Sequence, residues 1–197
     1  LALAEKKLDF EVEYQRFWDM PDDLVALNPT GLPPVLVEET EKGRTALCET
    51  RAILEYLEET HPEPALLPVD TDGRARVRAL AQMLALEVHP LNNLRVLFYL
   101  RDEFGADEAA QKKWFTHWVT LTFDALEATL ADSPETGRYS HGDQPTLADI
   151  CLYAQVWNNK RFDIALDRWP TIARIFAELD QLPAFTNAAP PNQPDAA

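Results

Sequence analysis

The first third of the chain alternates between apolar patterns of strands and of helices. Residues 1–4 have the pattern of the end of an amphipathic helix. Phe10, Val12 and Tyr14 then alternate with charged residues, which predicts a half-buried strand. Four further elements are predicted before residue 60: a short helix over residues 21–27, strands at residues 35–37 and 45–48 joined across Lys42 and Gly43, and a helix over residues 49–59.

A proline-rich stretch at residues 61–68 is predicted to be a linker, and every later pattern is helical. Thr146 and Asp149 have the spacing of a capping box and predict the start of one helix. The tail at residues 190–194 contains three prolines and is predicted to have no regular structure. Two apolar sets mark helix faces: Trp114, Trp118, Leu121 and Ala125 in one helix, and Ile172, Ile175, Phe176 and Leu179 in the last.

A polar interruption divides the helix that follows the linker. Pro90 lacks an amide hydrogen and its ring clashes with the carbonyl four residues earlier, so a kink or break is predicted near Glu87. The polar residues at this break, which include Asn93 and Arg95, either form a solvated joint or face a cleft. Upstream of the break, one apolar stripe has helical spacing: Val77, Leu80, Ala81, Leu84 and Val88.

Composition narrows the class of protein. Apolar residues make up 46% of the 197 residues, yet no apolar run approaches the roughly 18 residues that a transmembrane helix needs. The formal net charge of −15 argues against nucleic acid or an anionic membrane as the partner. Cys48 and Cys151 are too few for a disulfide framework and have no metal-ligand neighbours in sequence, so a cytoplasmic protein without a metal site is predicted.

Together these patterns predict an α+β protein of two domains. The mixed domain occupies residues 1–68, and an all-helical domain with an irregular tail occupies residues 69–197. A parallel crossover needs a strand before its first helix. The first strand of the mixed domain is therefore expected to precede Leu1.

Two short segments of the first domain carry candidate binding chemistry. Pro33 and Pro34 lie between a turn and a strand, where a cis bond would leave the preceding backbone open to pairing with a peptide-like ligand. Glu49 and Thr50 lie where a strand gives way to a helix, and backbone amides at a helix N-terminus bind carboxylates. Taken singly, the two segments are also compatible with a turn proline and an ordinary helix cap.

Several short motifs follow one another along the chain. In the first domain they are Asn28-Pro-x-Gly-x-x-Pro34-x-Leu36, Glu49-Thr-Arg-Ala-Ile53-Leu-Glu-Tyr-Leu57 and Pro-x-Leu-Leu-Pro68. In the second they are His89-Pro-Leu-Asn-Asn-Leu-Arg95-Val-Leu, Gly142-Asp-Gln-Pro-Thr-Leu-Ala-Asp149, Asn158-Asn-Lys-Arg161-Phe162 and Leu182-Pro-Ala-Phe185…Gln193-Pro-Asp195. This series resembles the glutathione transferases, and the second set is similar to their zeta class, which includes maleylacetoacetate and maleylpyruvate isomerases. The resemblance spans essentially the whole chain.

The resemblance implies a thioredoxin-like first domain, a helical second domain, a homodimer, and glutathione bound across the two domains. Pro34 would be the cis-proline, and the backbone of Pro33 would pair with the cysteinyl part of glutathione. Glu49 and Thr50 would hold the γ-glutamyl group. Pro33, Glu49 and Thr50 are thus the glutathione-binding candidates of the first domain.

In the second domain, the resemblance places Glu87 and Asn93 near glutathione bound to the partner subunit. Arg95 and Arg161 would face the carboxylates of a dicarboxylate substrate. Arginine suits this role, because its planar and permanently charged guanidinium binds carboxylates in a bidentate manner. The alternative is that both arginines form surface ion pairs with nearby acids.

The function implied by the resemblance is glutathione-dependent cis–trans isomerisation of a maleyl keto acid, either maleylacetoacetate or maleylpyruvate, in the catabolism of aromatic amino acids or other aromatic compounds. General glutathione transferase activity is a close variant. The isomerisation requires addition of a thiol to the cis double bond, rotation about the resulting single bond, and elimination.

Two departures from the family favour a different class of protein. The family activates the thiol with a serine-rich segment at the start of the first helix, which would precede Leu1, so no catalytic residue is assigned. Pro33 has no amide hydrogen, so one of two backbone hydrogen bonds to glutathione is lost. The alternative is a non-enzymatic binding or regulatory protein that keeps the fold.

Overall fold

The computed structural model describes residues 1–14, 21–41 and 43–194, and these form two compact units. One unit spans residues 2–65, and the other contains Leu1 and the residues from Leu66 onward. In the described residues, the first unit contains helices and a β-hairpin, and the second contains helices only. The predicted α+β fold class is therefore confirmed. No helix in this part of the chain is long and apolar enough to cross a membrane.

The β-hairpin lies in the first unit. The two predicted strands form an antiparallel hairpin, in which Val35 lies opposite Cys48. Lys42 of the predicted turn lies outside the described residues. The helix after the hairpin buries Ile53, Leu54 and Leu57. The elements of this unit are α1 (Ala2–Glu5), α2 (Asp22–Leu27), β1 (Val35–Thr40), β2 (Gly43–Cys48) and α3 (Thr50–Thr60).

The predicted strand at Phe10, Val12 and Tyr14 is wrong. Residues 8–14 have no regular structure, and these three side chains are 47%, 51% and 40% exposed. Alternation of apolar and charged residues makes a strand only where a neighbouring strand pairs with it and one face is covered. Within the described residues, β1 and β2 pair only with each other, so this segment has no strand partner there.

A buried lysine ties α1 to the end of α3. The Lys6 ammonium lies 2.8 Å from Glu58 Oε2 and donates to the carbonyls of His61 and Pro64 at 2.6 and 3.1 Å. The Lys6 side chain is 0% exposed and that of Glu58 is 6% exposed. An ammonium carries three donors, and here each has an acceptor, which is what permits complete burial of a lysine.

The second unit begins with the divided helix. The apolar stripe from Val77 to Val88 is buried, and the helix ends at Glu87, so the predicted break is confirmed. The next helix starts at Leu94. The elements of this unit are α4 (Thr71–Glu87), α5 (Leu94–Phe104), α6 (Glu108–Ala131), α7 (Leu147–Lys160), α8 (Pro170–Leu179), α9 (Pro183–Asn187) and a 3₁₀ turn (Pro190–Asn192).

Asp149 is the buried centre of the predicted capping box. It accepts hydrogen bonds from the Ser140 amide at 2.9 Å and from the amide and hydroxyl of Thr146, both at 2.8 Å. Burial raises the pKa of this carboxyl, while the hydrogen bonds act in the opposite direction. The box is confirmed, and it joins the start of α7 to the preceding loop.

Two predictions for the helical unit need correction. Leu121 is 58% exposed and Ala125 is exposed, so the predicted face of α6 is displaced around the helix by about one residue. Its core face is Phe115, Val119, Thr122, Phe123, Leu126 and Leu130. The indoles of Trp114 and Trp118 lie beside this face and are half-buried, because α6 packs against several helices at once.

The tail was also predicted incorrectly, since it contains a 3₁₀ turn instead of an irregular segment. Asn192 Nδ2 donates to the Thr186 carbonyl at 2.7 Å, and Gln193 Nε2 donates to the Asn187 carbonyl at 2.6 Å. These side-chain bonds order the prolines against the end of α9. The face of α8 is as predicted, because Ile172, Ile175, Phe176 and Leu179 are buried.

Candidate functional site

The hairpin register brings three predicted glutathione-binding residues to one edge of the first unit. Pro33 and Pro34 are joined by a cis peptide bond directly before β1. Because Val35 pairs with Cys48, the start of β1 lies beside the end of β2. Glu49 and Thr50 follow immediately, and Pro33, Glu49 and Thr50 are all exposed. The hairpin thus places these three residues at one edge, and their role in binding glutathione stays a prediction.

Glu49 has an unusual backbone conformation at the start of α3. Its φ of 70° and ψ of 114° lie outside the regions that L-residues ordinarily adopt. Such a conformation costs on the order of 1–3 kcal/mol and is enriched at functional sites. The Glu49 side chain makes no hydrogen bond that caps its own helix. The first-turn amides of α3 are thus available to an anionic ligand group.

Asn28 organises the loop that leads to Pro33, a role that the sequence did not predict. Its Oδ1 accepts from the amide and the hydroxyl of Thr30 at 3.2 and 2.9 Å, and its Nδ2 donates to the Leu32 carbonyl at 2.6 Å. The side chain is buried, with 3% of the residue exposed. The signal was present in the Asn-Pro-x-Gly spacing, because asparagine side chains bond to nearby backbone in turns.

The break between α4 and α5 carries three more predicted site residues. Glu87 is the last residue of α4 and is exposed. Asn93 caps α5, and its Oδ1 accepts from the Arg95 amide at 3.1 Å. The side-chain oxygen of Asn93 therefore caps the helix. Its side-chain nitrogen has no partner in the part of the chain that the structure describes.

The two predicted substrate arginines form no ion pair within the described residues. Arg95 is exposed, and its guanidinium makes no hydrogen bond there. Arg161 makes only a long contact of 3.4 Å to Asn158 Oδ1. Other exposed arginines do pair with carboxylates: Arg101 with Asp102, Arg138 with Glu178, and Arg168 with Asp124. The alternative reading of Arg95 and Arg161 as surface ion pairs is not supported.

Helix α6 supports both arginine-bearing segments through Phe115. Asn92 Nδ2 donates to the Phe115 carbonyl at 3.2 Å, which fixes the segment before Asn93 and Arg95. The Phe115 ring stacks on Phe162, the neighbour of Arg161, with centroids 3.9 Å apart. Phe115 itself is fully buried. One core residue thus anchors both segments, and this connection could not be predicted from the sequence alone.

Arg161 lines a small cleft of about 330 Å³ between the start of α6 and the end of α7. Lys112 also lines it and lies 3.2 Å from Asp163, an exposed ion pair. The full lining is Glu108, Gln111, Lys112, Arg161, Phe162 and Asp163. A larger and more open groove of about 700 Å³ follows the exposed face of α6 from Ala109 to Asp124 and contains none of the predicted site residues. The smaller cleft is therefore the better candidate for a ligand-binding site, because Arg161 lines it.

Comparison with known proteins identifies the family. Residues 1–60 match the family description "Glutathione S-transferase, N-terminal domain", and residues 121–174 match "Glutathione S-transferase, C-terminal domain". The chain is 49% identical over 178 residues to a maleylpyruvate isomerase of a Ralstonia species, covering 90% of this chain and 82% of that protein. A probable maleylacetoacetate isomerase of Vibrio cholerae is 44% identical over 170 residues, covering 86% and 76% of the two chains.

Solved structures agree with this assignment. The holo structure of a zeta-class maleylpyruvate isomerase is 46% identical, with a TM-score of 0.93, over 100% of this chain and 92% of that one. A maleylacetoacetate isomerase of Methylobacterium extorquens with bound malonate and glutathione is 33% identical, with a TM-score of 0.93 and the same coverage. The chain therefore belongs to the glutathione S-transferase family, and within that family to the zeta class.

Membership of this family defines the cofactor and the fold of the first unit. The cofactor is glutathione, and the first unit is the thioredoxin-like domain of the family. The open amides at the start of α3 and the exposed Glu49 and Thr50 fit a peptide-like, charged ligand. Among residues 1–14, 21–41 and 43–194, no group of three His, Cys, Asp or Glu side chains could hold a metal ion.

Proposed function

We propose that this protein is a glutathione-dependent cis–trans isomerase of a maleyl keto acid, either maleylpyruvate or maleylacetoacetate. Relatives that carry these two names match nearly the whole chain. The observation that carries the proposal is the absence of carboxylate partners for Arg95 and Arg161 in the described part of a chain whose net charge is −15. Unpaired arginines in so acidic a protein are ready to bind an anionic ligand.

Pro33, Glu49 and Thr50 would hold glutathione, which supplies the thiol for reversible addition to the double bond. The Pro33 carbonyl accepts from the ligand backbone. Glu49 offers a carboxylate to the α-ammonium of the γ-glutamyl group, and Thr50 offers its hydroxyl and amide to the α-carboxylate. Each role uses a group that is exposed at the shared edge of the hairpin and α3.

Arg95 and Arg161 would hold the two carboxylates of the substrate and orient its double bond. A guanidinium binds a carboxylate through two parallel hydrogen bonds, which fixes direction as well as position. The same positive charge stabilises the enolate that forms when a thiolate adds to the far carbon of a double bond conjugated with a keto group. Lysine would supply charge without the fixed geometry.

The proposal includes a homodimer in the cytoplasm. Glu87 and Asn93 of one subunit would then approach glutathione bound to the other. Glu87 is exposed, and the amide nitrogen of Asn93 has no partner among the described residues, which is compatible with a ligand supplied from outside the subunit. We also propose that the domain boundary falls at residues 68 and 69, within the proline-rich segment.

The test is isomerisation of maleylpyruvate and maleylacetoacetate by the purified protein, with and without glutathione. Turnover that requires glutathione supports the proposal. Binding of glutathione without turnover of either substrate would favour the second candidate, a non-enzymatic binding or regulatory protein. That candidate is favoured by one observation, the missing amide hydrogen at Pro33.

A further inference from the structure

The cleft that contains Arg161 is lined by as many carboxylates as cations. The cations are Lys112 and Arg161, and the carboxylates are Glu108 and Asp163. A carboxylate of the protein and a carboxylate of a ligand compete for the same guanidinium, because both bind it through charged hydrogen bonds. The way in which these four groups pair therefore decides whether Arg161 can bind an anionic ligand.

The Asp163 carboxylate is paired with the lysine. Lys112 Nζ lies 3.2 Å from Asp163 Oδ2, and the two residues reach the cleft from different segments, α6 and the turn after α7. Arg161 is only two residues from Asp163 and lines the same cleft, yet it has no carboxylate partner among the described residues. Asp163 is thus paired with the cation that is more distant in sequence.

The backbone at the end of α7 fixes where this carboxylate starts. The Asp163 amide donates to the Lys160 carbonyl at 3.2 Å, and the Ile164 amide donates to the Asn159 carbonyl at 3.3 Å. This is the hydrogen-bond pattern of a Schellman motif, and Asp163, with φ of 55°, occupies the left-handed position that usually holds glycine. The motif therefore presents a carboxylate at the cleft where glycine would present none.

An aromatic stack holds the turn against α6. The Phe162 ring stacks on Phe115 with centroids 3.9 Å apart. Phe162 directly precedes Asp163, and Lys112 lies three residues before Phe115, which places Lys112 and Phe115 on the same side of α6. The stack thus keeps the carboxylate within reach of the ammonium.

We propose that Lys112 is a positioning residue that keeps the Asp163 carboxylate away from Arg161 and so leaves this guanidinium free for a substrate carboxylate. The inference deepens the proposed isomerase function and rests on it. Without Lys112, the cleft would be lined by one cation and two carboxylates and would carry a net negative charge. Asp163 would then compete with a dicarboxylate substrate for Arg161 and repel it.

Kinetics of Lys112→Met test the proposal at low ionic strength, where exposed charges are least screened. The variant should raise KM for maleylpyruvate with a smaller change in kcat, because Lys112 acts on binding through Asp163. Both side chains are exposed, so a rise of about two- to fivefold is expected. Lys112→Arg keeps the charge and should return KM to near its natural value. An unchanged KM in Lys112→Met would overturn the proposal.

A second substitution separates this role from direct binding of substrate by Lys112. Asp163→Asn in the Lys112→Met background should restore KM, because the competing charge is gone. Glu108→Gln in the same background is the matched control, since Glu108 lines the same cleft but forms no ion pair with Lys112 in the part of the chain that the structure describes. It should restore KM less. Failure of Asp163→Asn to restore KM, or equal restoration by Glu108→Gln, would overturn the proposal.

A crystal structure of Lys112→Met provides a readout that requires no activity. We expect the Asp163 carboxylate to lie within about 4 Å of the Arg161 guanidinium, the range of an ion pair. A carboxylate that stays turned away from Arg161 would contradict the role of Lys112. If the unaltered protein turns over neither maleyl substrate, the proposed function fails, and this structure still decides whether Lys112 keeps the two groups apart.

Discussion

Lys6 and Glu58 form an ion pair of 2.8 Å from which water is almost completely excluded. The pair joins the first helix of the chain to α3, whose N-terminus carries Glu49 and Thr50. Two carbonyls complete the coordination of the ammonium, so no donor is left over. The stability of the proposed glutathione-binding edge and the position of α1 therefore depend on the same contact.

Lys6→Met should destabilise the protein strongly, because it removes the ammonium that lies 2.8 Å from the buried Glu58 carboxylate. Removal of one partner of a buried pair typically costs about 3–5 kcal/mol. Urea denaturation monitored by circular dichroism measures the change. Lys112→Met is the control, since its ion pair with Asp163 is exposed and exposed pairs contribute at most about 1 kcal/mol. Similar losses in the two variants would contradict the role assigned to Lys6.

Arg161→Ala should reduce turnover of maleyl substrates far more than it weakens glutathione binding, because the arginine is proposed to hold a substrate carboxylate. A charged hydrogen bond is worth about 1.5–3 kcal/mol, so kcat/KM should fall roughly 10- to 150-fold. Steady-state kinetics and glutathione titration by calorimetry separate the two effects. Arg101→Ala is the matched control, since Arg101 is an exposed arginine already paired with Asp102. Equal losses of turnover and of glutathione affinity would argue against a carboxylate role.

Pro33→Val should tighten glutathione binding, because it restores a backbone donor beside the ligand. One hydrogen bond contributes about 0.5–1.5 kcal/mol, which corresponds to an affinity gain of roughly 2- to 13-fold. Calorimetric titration of both proteins with glutathione measures the gain. Pro134→Val, in a loop of the helical unit, is the control for the removal of a proline. Unchanged affinity in Pro33→Val would mean that glutathione does not pair with the backbone at this position.

The acid stability of the helical unit should depend on Asp124. Hydrogen bonds from the Trp169 indole and then from Arg168 hold the pKa of this carboxyl below its ordinary value. The folded pKa is therefore lower than the unfolded one, so Asp124 stabilises the protein above the unfolded pKa and ceases to do so as pH falls through the folded pKa. The urea midpoints of the natural protein and of Asp124→Asn should differ at pH 6 and converge toward pH 3. A constant difference across this range would exclude the charge of Asp124 as the cause.

Glu127 should be required for the start of α8. Its Oε1 and Oε2 accept from the amides of Thr171 and Ile172 at 2.8 and 2.9 Å, so one side chain of α6 caps another helix. Glu127→Ala is expected to cost about 0.5–2 kcal/mol, as for the loss of other N-terminal caps. Thermal unfolding measures the loss of stability. Glu103→Ala is the control, because Glu103 is an exposed residue of α5. Equal stability of the two variants would show that the cap contributes nothing.

Local signals predicted much of this fold correctly. The break after Glu87 was predictable because Pro90 acts through its own covalent chemistry, whatever surrounds it. The predicted strand at Phe10 to Tyr14 was wrong because a strand depends on a partner that alternation alone cannot supply. The face of α6 was misplaced because Trp114 and Trp118 form an apolar stripe beside the one that is buried.

The candidate site likewise combines features that local sequence signals indicate with features that depend on contacts formed only on folding. Arg95 and Arg161 are candidates because of the order of motifs, which requires no knowledge of contacts, and their role in binding substrate stays a prediction. The anchoring of both segments on Phe115 could not be predicted, because it depends on a carbonyl and a ring that meet only after folding. Asn28 was overlooked as an organiser although the Asn-Pro-x-Gly spacing was a signal, because the sequence does not show which backbone groups its side chain bonds.

Because Asn93 caps α5 with its side-chain oxygen, only its side-chain NH₂ group is available to a ligand. The oxygen of this side chain is turned toward the Arg95 amide, so the outward group is the NH₂. That group can only donate, and it cannot be turned over without breaking the cap. A ligand at this point must therefore present a lone pair, such as that of a carbonyl or carboxylate oxygen, and an ammonium there would meet a donor of the same polarity. A ligand bound at the start of α5 would therefore be selected for an acceptor atom at this point by the same residue that caps the helix.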